Sequence, residues 1–253
     1  MNRINWKKLT RRQAAYLLSG LLIVSALAFI VSGFLGTKDT APIDYAPLSV
    51  TEQKQLVLGK QDALGRATFA HIQLKNADRP KKKRERLAYN PVGWHNYRFA
   101  YRDKDGTIRK TYLMDRGHLV AYQFSGLNDE PRNLVPETHW LNAGDYEGTD
   151  DRNPDSQLFY ENQLSDWMYK HKEMYLDLEV VPIYTGDELL PRQIAMHFVG
   201  VTEAGKRIKI SIRGSNKVVY SEDGKGEVVL DNVSPNAQIN YQTGRAKPLV
   251  KGS

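Results

Sequence analysis

The chain has 253 residues, 41% of them hydrophobic and 26% charged, with no cysteine and a formal charge of +7. Such a composition supports one core-forming domain with an accessory segment and excludes a disordered chain, while the lack of cysteine excludes disulfides, thiolate metal sites and cysteine nucleophiles. Residues 1–36 carry five basic residues, Arg3, Lys7, Lys8, Arg11 and Arg12, and no acid; removing them from the total of 36 leaves 31 against 29 acidic residues, so the basic balance belongs to the N-terminus and is not by itself a sign of nucleic-acid binding.

Residues 1–13 read as a basic cytoplasmic segment. Residues 14–36 form an uncharged apolar run, long enough for one transmembrane helix. The basic flank on its N-terminal side places the rest of the chain outside the cell membrane. The alternative is a signal peptide, with secretion after cleavage near Ala28 in the Ala26-Leu27-Ala28 stretch. Residues 37–47 read as a linker, and residues 48–250 as the domain that follows it.

Within the domain, residues 49–59 (SVTEQKQLVLG) are expected to form a short helix capped by Ser49 or Thr51. Residues 67–74 read as a strand. Six of the eight residues 79–86 are basic, a solvated loop unless phosphate is near. After a turn at 90–95, strands over 97–101 and 107–112 flank the Asp103–Gly106 hairpin turn. Asp115-Arg116-Gly117-His118 then lies at the hairpin's end. Strand interiors disfavour Gly and Asp, so packing alone does not account for this stretch. A loop over 126–137 leads to a short helix over 138–146 capped by Thr138, then an acidic loop over 147–155. A helix is expected over 155–172, with Tyr160, Leu164, Trp167 and Met168 on one face and Glu161 off it. Tyr160 and Trp167 read as core, not as base-stacking platforms. Further strands are expected over 175–184, 195–201, 207–212 and 238–241. The order implies an α+β domain with one mixed or antiparallel sheet. His71, His95, His139, His171 and His197 show no zinc-type spacing.

The motif Asp115-Arg116-Gly117-His118, followed by Arg132-Asn133-Leu134, Trp140-Leu141-Asn142 and Tyr160-Glu161, resembles the DNA/RNA non-specific endonuclease family with its ββα-metal (His-Me) finger. Pro91-Val92-Gly93-Trp94-His95 and the stretch 238–244 also fit, so the resemblance spans roughly 50–245, and it is nearest to the membrane-anchored bacterial DNA-entry nucleases. It implies a phosphodiester hydrolase with His118 as general base, a residue type suited to that task near neutral pH. Asn142 would be the protein ligand of one hydrated Mg²⁺, with Mn²⁺ as a substitute, and an amide oxygen suits that hard cation. Glu161 would orient metal-bound waters, with Glu147 as its rival because it follows Asn142 more closely; residues 144–155 are acidic and longer than the family pattern. Arg84 or Arg86 would clamp phosphate, and Lys81, Lys82 and Lys83 would bind substrate. Asp115 either orients its neighbours or pairs with Arg116; Asn133 is a structural amide tying the loop; Gly117 would let the backbone take an unusual shape beside the base. The partners implied are DNA, with RNA not distinguished, the membrane, and DNA-uptake or cell-surface proteins. Two other readings are a nucleic-acid receptor on the same fold that does not cut and, against the evidence of the anchor, a toxin nuclease delivered to other cells.

Overall fold

A computed structural model describes residues 44–251. The segments 1–13 and 14–36, the cleavage position near Ala28 and most of the linker expected over 37–47 lie outside them. Among the described residues no helix is long and apolar enough to cross a membrane.

The architecture is α+β. Its main sheet runs in the order β1 (Gln55–Leu58), β2 (Ala70–Leu74), β7 (Tyr175–Ile183), β8 (Gln193–Val201), β11 (Gly226–Asp231) and β10 (Val219–Tyr220), with β9 (Arg207–Ile208) also paired to β8. Every ladder in it is antiparallel. Apolar residues at period two, Leu176, Leu178 and Val180 on β7 and Ile194, Met196 and Phe198 on β8, supply the buried face. Helix α3 (Gln157–Lys170) contributes Tyr160, Leu164, Trp167 and Met168 to the same core. The Ser156 side chain caps its first turn by accepting from the Phe159 amide. Gly200 makes room for this packing, since a Cβ there would lie 2.5 Å from Trp167 Cζ2. Burying a side chain such as Leu164 contributes about 1.5–3 kcal/mol, so the core fixes the helix whose other faces carry Glu161 and Gln157.

Residues 55–58 are a strand, not part of the helix expected over 49–59. Their backbone pairs with β2 from Gln55↔Gln73 to Leu58↔Ala70, and the Gln55 side chain donates to Ser49 O and Gln73 Oε1. Sheet pairing outweighs a helix preference of a few tenths of a kcal/mol per residue.

The expected hairpin is present as β3 (Arg98–Arg102) and β4 (Ile108–Tyr112), turning at Gly106 with φ +85°. The catalytic-type motif is not an extension of that ladder. It forms β5 (Met114–His118) and pairs antiparallel with β6 (Leu134–Thr138), inside the stretch expected to be loop. Pro136 hides this strand from a sequence reading; a two-stranded ribbon tolerates a residue without an N–H. Between these strands lies α1 (Tyr122–Ser125). Immediately after β6, α2 (His139–Ala143) starts under the Thr138 cap and stops at Gly144, φ +82°. The strand expected over 207–212 is only the two-residue β9, and the chain closes with the hairpin β12 (Ala237–Asn240) and β13 (Arg245–Pro248).

Candidate active site

Strand β5 and helix α2 place the motif residues around a cleft of about 620 Å³, lined by Arg84, Arg86, Trp94, Asp115, Arg116, His139 and Asn142 among others. Asp115 Oδ2 accepts from Asn142 Nδ2 and from His139 Nδ1, each at 2.7 Å. The carboxylate can only accept, so it turns the Asn142 nitrogen inward and leaves Oδ1 as the amide atom without a partner among the described residues. Asp115 therefore orients neighbours and does not pair with Arg116. Arg116 donates to Asn90 Oδ1 at 2.7 Å and stacks its guanidinium 4.2 Å over the Trp94 ring.

His118 lies at the end of β5, only 6% exposed, and is not part of the cleft lining. Its Nε2 lies 2.9 Å from the Asn128 carbonyl. A carbonyl requires a donor, so Nε2 carries the hydrogen and Nδ1 keeps the lone pair in the neutral ring. Burial pushes its pKa below the usual histidine value, and the Arg84 charge lowers it further against the opposing pull of the Asn128 hydrogen bond. Near neutral pH the ring is an unprotonated base.

Arg84 is the residue common to His118, the cleft and a neighbouring trough. That trough, about 630 Å³, is lined by Arg79, Lys81, Lys82, Lys83, Tyr122 and Tyr169 among others. Lys81, Lys82, Lys83, Arg84 and Arg86 are all exposed, and among the described residues none forms a salt bridge with an acid. Asn128 and Asp129, which the sequence did not single out, hold this loop in place. Asn128 Oδ1 accepts from Glu85 N, and the Asp129 carboxylate accepts from Ala88 N and Tyr89 N. The loop that orients the histidine thus also carries the cations past it.

Gly117 has no positive φ, so an unusual backbone shape is not its reason. Space is: a Cβ there would lie 2.0 Å from Glu137 Oε2 and 2.2 Å from its Cδ. Glu137 stands on β6 opposite Asp115 and is fully buried. Burial, then the charges of Glu161 and Asp115, hold its carboxyl well above the usual carboxylate range. The Gln157 amide, turned so that its nitrogen faces the carboxyl, lies 2.7 and 2.9 Å from the two oxygens. Glu161 retains partial solvent exposure. Protein surrounds it closely enough that burial pushes its carboxyl up to about 8, and no hydrogen bond or ion pair offsets this among the described residues. Its rival Glu147 is occupied elsewhere, accepting from Tyr101 Oη at 3.0 Å. Asn133, fully buried, exchanges two hydrogen bonds with the Val120 backbone.

Burial opposes protonation of His139, but its bond to Asp115 prevails and its pKa is raised. Its Nε2 donates to the Gly148 carbonyl at 2.9 Å. Among the described residues no three His, Cys, Asp or Glu side chains converge to hold a metal. Among the described residues, Asn142 Oδ1, on a residue of the cleft lining, and the Glu161 carboxyl, which is not part of that lining, are hard oxygens with no hydrogen-bond partner. Oxygen donors of this kind suit a cation that keeps most of its waters, and not a zinc cage.

The family model for DNA/RNA non-specific endonucleases matches residues 48–199. Among solved structures, one described as an extracellular endonuclease is 42% identical, with a TM-score of 0.67, over 80% of this chain and 90% of its own. Two others share the fold at 20% identity. Sda1 nuclease with bound zinc has a TM-score of 0.57 over 78% of this chain and 82% of its own. NucA from Streptococcus agalactiae with magnesium bound has a TM-score of 0.53 over 81% of each chain. Among curated protein sequences nothing matches.

Proposed function

The chain belongs to the DNA/RNA non-specific endonuclease family and is a nucleic-acid-hydrolysing enzyme, and from that premise we propose a membrane-anchored, extracellular endonuclease that hydrolyses DNA, and RNA if the cleft admits it, using Mg²⁺ and the His118 base. The observation that carries the reading is a neutral, buried histidine beside an arginine that has no acidic partner among the described residues. His118 Nδ1 takes the proton of the attacking water, while Nε2–H stays on the Asn128 carbonyl and keeps the lone pair aimed. Arg84 and Arg86 hold the scissile phosphate and offset the charge it gains at phosphorus. Lys81, Lys82 and Lys83 carry flanking phosphates along the trough.

Asn142 Oδ1 would ligate the cation directly, and Glu161 would hold its waters. The bound cation supplies neutralisation of phosphate charge and of the departing 3′ oxygen. A divalent cation is supported by the two relatives that hold one, and the hard oxygen donors favour Mg²⁺, with Mn²⁺ next. The anchor rests on residues 14–36 and their basic flank, and the domain on 48–250.

Two experiments test the proposal. Plasmid is incubated with the full-length protein in EDTA, Mg²⁺, Mn²⁺ or Zn²⁺. Nicking is expected with Mg²⁺ and Mn²⁺ only; nicking in EDTA removes the metal role, and binding without cleavage under every condition leaves a receptor. Protease added to intact cells is expected to remove the domain and spare residues 1–13. Protection until lysis overturns the topology, and a soluble product beginning near Ala28 replaces the anchor with a cleaved signal.

A further inference from the structure

Helix α2 carries a second side chain that reaches the motif strand. His139 and Asn142 stand one helical turn apart, and both end on the same oxygen, Asp115 Oδ2. The far edge of the His139 ring is occupied as well, with Nε2 on the Gly148 carbonyl. A carboxylate and a carbonyl both accept, so both ring nitrogens donate. Turning the ring out of this plane loses one bond or the other. Gly148 is itself fixed by a separate set of contacts on its segment. Lys104 Nζ lies 3.3 Å from both Asp145 and Asp150, Tyr101 bonds Glu147, and Asn153 Nδ2 donates to Gly144 O at 2.9 Å.

We propose that His139 is a positioning residue for the metal centre: braced by Gly148, it fixes Asp115 Oδ2, and through it the Asn142 amide, with Oδ1 kept as the atom offered to the cation. The inference rests on the reading of Asn142 as the ligand. Asp115 held by Asn142 alone can rotate about its terminal torsion, which is broad and roughly two-fold for a carboxylate. The amide can then turn over and present an NH₂ group, which cannot ligate. The effect falls on metal affinity and not on the binding of flanking phosphates, because His139 is not part of the trough that Lys81, Lys82 and Lys83 line. It also assigns a use to the long segment 144–155, whose Gly148 carbonyl is the brace.

The test measures Mn²⁺ binding to the full-length protein by calorimetry without nucleic acid, beside the Mg²⁺ dependence of plasmid nicking. His139→Ala is expected to weaken Mn²⁺ binding about 10–100-fold, the usual cost of removing a partner behind a metal ligand. Its nicking rate should recover towards wild type at saturating Mg²⁺, which a general loss of structure would not allow. His139→Gln keeps a donor for Asp115 and should recover part of the affinity. It also serves as the measurement if His139→Ala does not fold. Lys104→Ala loosens the segment that carries the brace but leaves the His139–Asp115 contact in place, and should weaken affinity less than His139→Ala does. Wild-type Mn²⁺ affinity in a folded His139→Ala or His139→Gln protein overturns the inference and leaves the proposed function standing. Equal weakening by Lys104→Ala also overturns it, by showing that only the loop matters. Failure of the wild-type protein to bind Mn²⁺ overturns the metal reading itself, and this inference with it.

Discussion

Gly117→Ala is the most direct probe of how this site is built, because the ordinary expectation and the structural one have opposite signs. Replacing a glycine by alanine at a compatible φ stabilises a protein by about 0.4–1 kcal/mol through the unfolded chain, and Gly117 is in a strand without positive φ. Here the new Cβ would meet Glu137 at Oε2 (2.0 Å), Cδ (2.2 Å) and Cγ (2.8 Å). Glu137 has no exposed surface into which to retreat. Overpacking of this kind costs about 1–3 kcal/mol. Moving the carboxyl off the Gln157 amide adds about 1–3 kcal/mol for a buried polar group left unsatisfied. The sum, roughly 2–6 kcal/mol, is a large share of the ~5–15 kcal/mol that holds a typical domain together. The assay is urea denaturation of the full-length protein followed by tryptophan fluorescence, with Gly117→Ala, Glu137→Ala and the double variant. Glu137→Ala removes all three atoms the Cβ would meet, so the double variant should be more stable than the sum of the single losses predicts, by about 1–3 kcal/mol. A Gly117→Ala protein as stable as wild type, or strict additivity in the double variant, refutes the claim that this glycine is there to admit Glu137.

Further outcomes are expected. His118→Ala should lower the nicking rate by ~10²–10⁴-fold with nucleic-acid affinity retained; near-normal cleavage by the folded variant removes the histidine from the chemistry. In the wild type the depressed His118 pKa keeps the base unprotonated at neutral pH, so the acidic limb of kcat/KM should fall below the ordinary histidine value near 6.5. The stability linked to this group is present above its unfolded pKa and is lost as pH falls through the folded one. Arg84→Ala removes one cause of that depression and should move the limb to higher pH, whereas Lys82→Ala should leave the limb in place and reduce the salt dependence of binding by about one counterion; identical pH profiles for the two variants would contradict the assignment of Arg84. Glu161 has a folded pKa raised from 4.5 to about 8, so its stabilising contribution is present below 4.5 and is lost as pH rises through 8. In EDTA, Glu161→Gln should flatten the fall in melting temperature between pH 5 and pH 9, and it should weaken Mn²⁺ binding; a wild-type pH profile of melting would show that this carboxyl is not raised.

Much of the local structure was legible because it is decided within a few residues. The Asp103–Gly106 turn and the Thr138 cap follow from side chains and φ angles that act over one turn of chain, whereas the helix expected to run to 146 ends at Ala143. The buried stripe of Tyr160, Leu164, Trp167 and Met168 follows from the 3.6-residue period. The order of the motif, from His118 through Asn142 to Glu161, was likewise sufficient to indicate the family. What the sequence left open depends on partners distant along the chain. Residues 55–58 and 134–138 became strands because β2 and β5 supply their hydrogen bonds, and neither partner is visible in a local window. The choice of Asp115 between Arg116 and the α2 side chains was made by the helix that brings His139 and Asn142 within 2.7 Å. Gly117 is spare by necessity because a buried carboxyl from another strand occupies the place of its side chain. Residue type and short spacing determined what chemistry the chain can do; which oxygen each donor meets was decided by tertiary packing, since hydrogen bonds and steric contacts act over a few ångströms in space whatever the separation in sequence.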